Sequence, residues 1–207
     1  MENIWLSYAK RLQSIAETGL AYAKDNYDRE RYAEVSDIAI RMIASLGHVP
    51  IERIQNLVTN FSEGYATPKV DVRGAVFKNN RILLVKEKSD NLWTLPGGFA
   101  DVGFSAAENI EKEIKEEAGI SVKAQRLYSV RHKAKGSFKQ DARDFYKLYF
   151  ICGQIDNSDL HPGLETLDVA YFYEEAIPPL STGRVIEEDL ELAWRFHRDI
   201  TGQTFFD

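Results

Sequence analysis

Residues 98–120 read GFADVGFSAAENIEKEIKEEAGI, and the second half of this stretch has the period of a helix. The pattern predicts a helix from about Ser105 to Ala118, closed by Gly119 where a left-handed C-cap is expected. At about 100° per residue, Glu113, Glu116 and Glu117 fall within an arc of about 100°, so the three carboxylates share one face. Ala107, Ile110, Ile114 and Ala118 form the packing stripe beside them. Like charges at this spacing cost an isolated helix roughly 0.2–0.5 kcal/mol per pair, which a cation among them would offset. Hard oxygen donors suit Mg²⁺ better than Zn²⁺. On composition alone, a solvated face laced by Lys112 and Lys115 is the commoner outcome for such a charge run.

Working outward, Leu95, Pro96, Gly97 and Gly98 precede the stretch, and before them Val70–Phe77 and Ile82–Val85 read as β-runs joined by a turn at 78–81. Earlier still, apolar residues recur at helical spacing from Met1 to about Leu46 (Leu6, Leu12, Ile15, Leu20, then Ile38, Ile40, Met42 and Ile43). A polar break at Asp25–Asp28 separates two helices, and a third is expected from Ile51, with Ile54, Leu57, Val58 and Phe61 on its apolar face. Three short amphipathic helices bury little by themselves, so a homodimer through this module is expected. Residues 62–68 have linker composition, which sets two domains, 1–66 and 67–207.

Downstream, strands are expected at Val122–His132, Phe145–Ile155 and Val169–Tyr173, and a last helix at Val185–Ile200. Arg131, His132, Lys133 and Lys135 form a basic cluster opposite no obvious acidic run, which could steer an anionic substrate or lie solvated in a loop. Alternation places Lys147 on one sheet face with Phe145 and Tyr149, and an inward lysine there would favour phosphate. Phe61, Tyr65, Tyr128 and Tyr146 are available for stacking on a base, although aromatics at such spacings are more often core. The net charge of -6, from 26 basic and 32 acidic residues, gives no general pull towards nucleic acid. Cys152 is the single cysteine, so neither an intrachain disulfide nor a cysteine metal cluster can be built, and no run is long enough to span a bilayer. A cytoplasmic protein is expected.

The segment Gly98–Ile120 resembles the Nudix box, in which a glycine and a spaced acidic position precede Arg-Glu-aliphatic-x-Glu-Glu-x-Gly-aliphatic. Glu113, Ile114, Glu116, Glu117, Gly119 and Ile120 match in register, and Leu95–Gly98 is the usual lead-in. Phe104 stands where the first glutamate is expected and Lys112 replaces the arginine, trading a fork of donors for a point charge. Asp101-Val102 after the glycines, together with the helical extension, resembles a branch hydrolysing nucleoside diphosphates linked to another moiety, ADP-ribose and CDP-choline among them.

The resemblance implies an α+β protein: an α/β/α sandwich with a mixed sheet, preceded by a small all-helical domain. It also implies Mg²⁺ or Mn²⁺ held by Glu113, Glu116 and Glu117 with the carbonyl of Gly97, activating water for attack on phosphorus. Glu113 or Glu165 is the general base; Glu165 lies in a turn-rich segment ahead of the Val169–Tyr173 strand, where an ordinary exposed carboxylate is the commoner reading. Arg131, Lys133 and Lys147 are the candidate substrate contacts. The alternatives are an RNA 5′-end pyrophosphohydrolase, a binding module that has lost hydrolysis, and a helical interaction protein.

Overall fold

The structure, a computed structural model, describes residues 3–48, 50, 67–199 and 201–207. It divides into two compact units, one taking in Met1–Lys69 and Lys139–Phe145, the other Val70–Phe138 and Tyr146–Asp207.

In the first unit, α1 (Ile4–Tyr22) and α2 (Asn26–Gly47) pack through Leu6, Ala9, Ile40 and Ile43. The break between them is tighter than the sequence suggested. Asp25 caps α2 by accepting from Asp28 N at 2.9 Å, so Asn26–Asp28 are already helical. Leu12, Ile15 and Ile38, expected on the buried faces, are exposed, and Ala9, Gln13, Ala16, Ser36 and Ala39 take the inner positions. The expected third helix, Phe61, Tyr65 and most of the linker lie outside the described residues.

The second unit is built on β1 (Lys69–Lys78), β2 (Arg81–Glu87), β3 (Trp93–Thr94), α3 (Ala106–Ala118), β4 (Val122–His132), β5 (Phe145–Gln154), β6 (Thr166–Phe172), α4 (Glu187–Arg198) and β7 (Phe205–Phe206). Among the described residues the strands form one seven-stranded sheet, ordered β3-β2-β1-β5-β4-β7, with β6 also paired to β2. The sheet is mixed: β7 runs parallel to β4, whereas β2–β1, β2–β3, β2–β6 and β4–β5 are antiparallel. Phe77 pairs with Ile82 across a turn whose central residues, Asn79 and Asn80, have φ of 51° and 55°, the positive values that two-residue hairpins need.

Strand alternation sorts the core into two layers. Val72, Val76, Leu83, Val85, Phe150 and Cys152 pack with Ile110, Ile114 and Ala118 of α3. Ala75, Ile82, Leu84 and Tyr149 pack with Leu190, Ala193 and Trp194 of α4 on the other side. The result is the expected α/β/α sandwich. Gly74 lets α3 settle on β1, since a Cβ there would lie 2.6 Å from Ile114 Cδ1. Sequence periodicity missed β3 and β7, because two residues are too few to show a period. No described helix is long and apolar enough to cross a membrane.

Charge is also buried on the α4 side of the sheet. Asp71 accepts from Lys147 Nζ at 2.6 Å and from Arg73 at 3.0 and 2.9 Å. Burial works against the Asp71 carboxylate, but Arg73 and Lys147 outweigh it and hold its pKa below the usual value. Replacing Asp71 by Asn removes the carboxylate both cations share. The expected loss, read by denaturant unfolding, is about 3–5 kcal/mol, and a loss below about 1 kcal/mol would contradict the assigned pairing. Burial also pushes the Cys152 thiol up to about 12. It should therefore resist thiol reagents at mildly alkaline pH in the native protein and react once unfolded; fast native labelling would place it outside the core.

Candidate active site

The first turn of α3 is a capping box, in which Ser105 Oγ accepts from Glu108 N at 3.2 Å and Glu108 returns by accepting from Ser105 N at 2.8 Å. Buried Asn109 ties the preceding loop to the helix: its Oδ1 accepts from Asp101 N at 2.8 Å and its Nδ2 donates to the carbonyls of Asp101, Phe104 and Ser105. Phe104 is held through its backbone, and its side chain is exposed. At the other end Gly119, with φ of 78°, caps the helix. The loop carrying Glu165 satisfies the last carbonyls, as His161 N donates to Ala118 O at 3.2 Å and Thr166 Oγ1 to Glu117 O at 3.1 Å. That loop is also tied to β2, where Lys88 N donates to Glu165 O at 3.2 Å.

A strap of residues, Pro96–Ala100, runs beside the first half of β1. Gly74 N donates to Pro96 O at 3.0 Å, Val72 N to Gly98 O at 2.8 Å and Ala100 N to Val70 O at 2.9 Å. Gly97 has φ of 138°, and a Cβ on it would lie 2.0 Å from Val72 O, so only glycine fits. This close approach aims Gly97 N at the helix, and it donates to Glu117 Oε2 at 2.8 Å. Gly98 lies against the Glu113 carboxylate, whose oxygens are 3.2–3.3 Å from where its Cβ would be.

The site is therefore a buried carboxylate, a half-buried one a turn earlier and an exposed one beside it. Burial pushes Glu117 up to about 8 against the pull of Arg73 and the Gly97 N–H, with Glu87 and Glu113 adding repulsion. Glu113 is raised too, first by burial and then by Glu116. Glu116 is exposed and lies 3.6 Å from Lys112, which is itself 2.7 Å from Asp101. The replacement lysine thus works on the solvent side of the helix. Glu87, at the end of β2, is raised by burial, opposed by Arg184 at 3.1 Å.

Hard oxygen donors, a buried acid raised by desolvation and repulsion among Glu87, Glu113 and Glu117 fit a divalent cation. Among the described residues no three His, Cys, Asp or Glu side chains by themselves form a metal cage.

Of the expected residues, the fold brings together Gly97, Glu113 and Glu117, and sets the exposed Glu165 on a loop docked to the same helix. The basic cluster departs from expectation. Arg131 does face acids, donating to Asp189 at 2.9 Å and Glu188 at 3.1 Å, because α4 brings residues 58 and 57 positions away onto β4. Lys133 is buried, and Lys147, on one face with Phe145 and Tyr149 as expected, points inward, to Asp71. Tyr128 is core and Tyr146 is exposed. Sequence reasoning missed Asp71, Arg73 and Glu87; two ionisable residues at i and i+2 of an apolar strand were the available signal.

The family description "UDP-X-like, N-terminal oligomerisation domain" matches residues 3–58, and that of the NUDIX domain matches residues 67–198. A Bacillus subtilis (strain 168) protein named "Putative ADP-ribose pyrophosphatase YjhB" is 44% identical over 203 residues, covering 98% of this chain and 97% of that protein. An ADP-ribose pyrophosphatase of Methanocaldococcus jannaschii is 41% identical over 120 residues, 56% of this chain and 69% of that protein. Among solved structures, a UDP-X diphosphatase aligns with a TM-score of 0.64 at 32% identity, over 99% of this chain and 98% of that one. An ADP-ribose pyrophosphatase from Streptococcus suis 89-1591 aligns with a TM-score of 0.62 at 38% identity, over 68% of this chain and 100% of that one. The protein belongs to the Nudix hydrolase family, with a helical N-terminal region set ahead of its catalytic domain.

Proposed function

We propose that this protein hydrolyses the diphosphate linkage of a nucleoside diphosphate joined to a second moiety, with ADP-ribose the first substrate to test and CDP-choline the next, using Mg²⁺ or Mn²⁺. The observation that carries the reading is the buried Glu117 carboxylate, held by Gly97 N with Glu113 one turn before it. The names of its relatives, ADP-ribose pyrophosphatases and a UDP-X diphosphatase, support the same substrate class.

Glu113, Glu116 and Glu117, with the carbonyl of Gly97, would hold the cation. When bound, it supplies charge neutralisation at the diphosphate and acidifies water. Glu117 fixes the ligand geometry through its bond to Gly97, and Glu113 or Glu165 accepts the proton of the attacking water. Arg131 is paired with Asp189 and Glu188, which takes it out of the basic cluster that suited the RNA 5′-end alternative. The first domain, 1–66, is assigned to homodimer formation. Ile4, Tyr8, Leu12, Ile15 and Tyr22 leave an exposed apolar stripe along α1, and the matching family description is of an oligomerisation domain. A cytoplasmic setting accords with nucleotide substrates and a single buried thiol.

Incubation with Mg²⁺ or Mn²⁺ and a panel of ADP-ribose, CDP-choline, nucleotide sugars and triphosphorylated RNA should release a nucleoside monophosphate from the linked diphosphates. Binding without turnover of any member would overturn the enzyme reading. Glu117→Gln should lower kcat by at least about 10²-fold with the fold intact; near-normal turnover would misplace the site. In metal-free protein the raised Glu117 binds its proton more tightly folded than unfolded. Its contribution to stability therefore falls as pH climbs from 4.5 to about 8. Relative to wild type in chelator, the melting temperature of Glu117→Gln should gain more at about pH 9 than at about pH 5, and an equal gain at both would contradict the desolvated acid. Light scattering should give twice the chain mass, and a monomer would remove the dimer assignment.

A further inference from the structure

We infer that Arg73, oriented by Asp71 and Lys147, is the positioning residue of this site: it anchors the strap that places Gly97 and, through it, Glu117. The inference rests on the hydrolase reading above and concerns how this chain orients its carboxylates when its box carries Lys112 in place of arginine.

A continuous series of short contacts leads from the sheet to the carboxylate. Lys147 Nζ donates to Asp71 Oδ1 at 2.6 Å. Asp71 holds the guanidinium at two points, accepting from Nε at 3.0 Å and Nη2 at 2.9 Å. The third donor, Nη1, reaches Leu95 O at 3.1 Å, one residue before the strap begins. Two residues further on, Gly97 N donates to Glu117 Oε2 at 2.8 Å. Lys147, Asp71, Arg73 and Glu117 are all buried, at 0%, 4%, 4% and 7% exposure, so water cannot replace a lost donor cheaply.

The geometry requires a fork. A lysine at position 73 could carry the charge but could not grip both Asp71 oxygens and the Leu95 carbonyl together. Lys112 does not share the task, being on the solvent side between Asp101 and Glu116. A buried ion pair is weak evidence of stabilisation; what this one supplies is orientation, since Asp71 fixes the guanidinium at two points. Arg73 also lowers the cost of ionising Glu117 and Glu87.

The test compares wild type with Arg73→Lys, Glu117→Gln and the double variant. Mn²⁺ binding is read by electron paramagnetic resonance without substrate, together with kcat and KM for ADP-ribose and thermal unfolding. Arg73→Lys should remain folded, bind Mn²⁺ about 10–100-fold more weakly and lose a similar factor in kcat, with KM little changed. In the Glu117→Gln background the same change should cost clearly less, because of the two groups it positions, Gly97 and Glu117, one is gone. Wild-type Mn²⁺ affinity and kcat in Arg73→Lys would overturn the inference, as would equal costs in both backgrounds, the mark of a purely structural role. Should Arg73→Lys not fold, Asp71→Glu keeps the charge and displaces the guanidinium, and unaltered Mn²⁺ binding there would be equally fatal. Wild type that neither binds Mn²⁺ nor turns over any linked nucleoside diphosphate would instead sink the hydrolase reading, and this inference with it.

Discussion

The contact between Gly97 N and Glu117 Oε2 joins a strand-side strap to a helix across 20 positions of sequence. Several features of the fold serve it. Gly97 must be glycine, because Val72 O occupies the space a Cβ would need. Gly74 must be small so that Ile114 can bring α3 down onto β1. The antiparallel run of Pro96–Ala100 beside β1 then fixes the height at which the Gly97 amide meets the helix. Without that amide, Glu117 would be a buried acid with no hydrogen-bond donor among the described residues, an arrangement that costs roughly 1–3 kcal/mol.

Opposing effects act on the site, and burial wins. Burial and the neighbouring carboxylates disfavour the charged form of Glu117, while Arg73 and the amide favour it. Such a group is poorly satisfied alone and well satisfied with a cation beside it, which is how a folded scaffold stores affinity for a metal. The flanking devices are conventional. A capping box starts α3, Gly119 ends it, and the Glu165 loop covers its last carbonyls, which ties Glu165 to the helix that bears Glu113 and Glu117.

Local pattern revealed much of this. The i, i+3, i+4 spacing put Glu113, Glu116 and Glu117 on one face, Gly119 marked the helix end, and Asn79-Asn80 marked the hairpin. What stayed hidden depends on contacts across long separations. Lys147 and Asp71 are 76 positions apart, and Arg131 and Asp189 are 58 apart, so two cations that looked unopposed in sequence are paired with acids in the fold. Alternation did place Lys147 on one face with Phe145 and Tyr149, but it could not name the partner. The exposed Leu12, Ile15 and Ile38 show the same limit in reverse, since helical period identifies apolar stripes without saying which stripe is covered within the chain.

We propose that Glu117, held by the Gly97 amide, and Glu113, beside Gly98, bind a divalent cation. Anomalous diffraction from a crystal grown with Mn²⁺ tests it most directly. The account predicts a peak within coordination distance of the Glu117 carboxylate, between it and Glu113. A fully occupied Mn²⁺ elsewhere in the Nudix domain, with none at those two carboxylates, would contradict it.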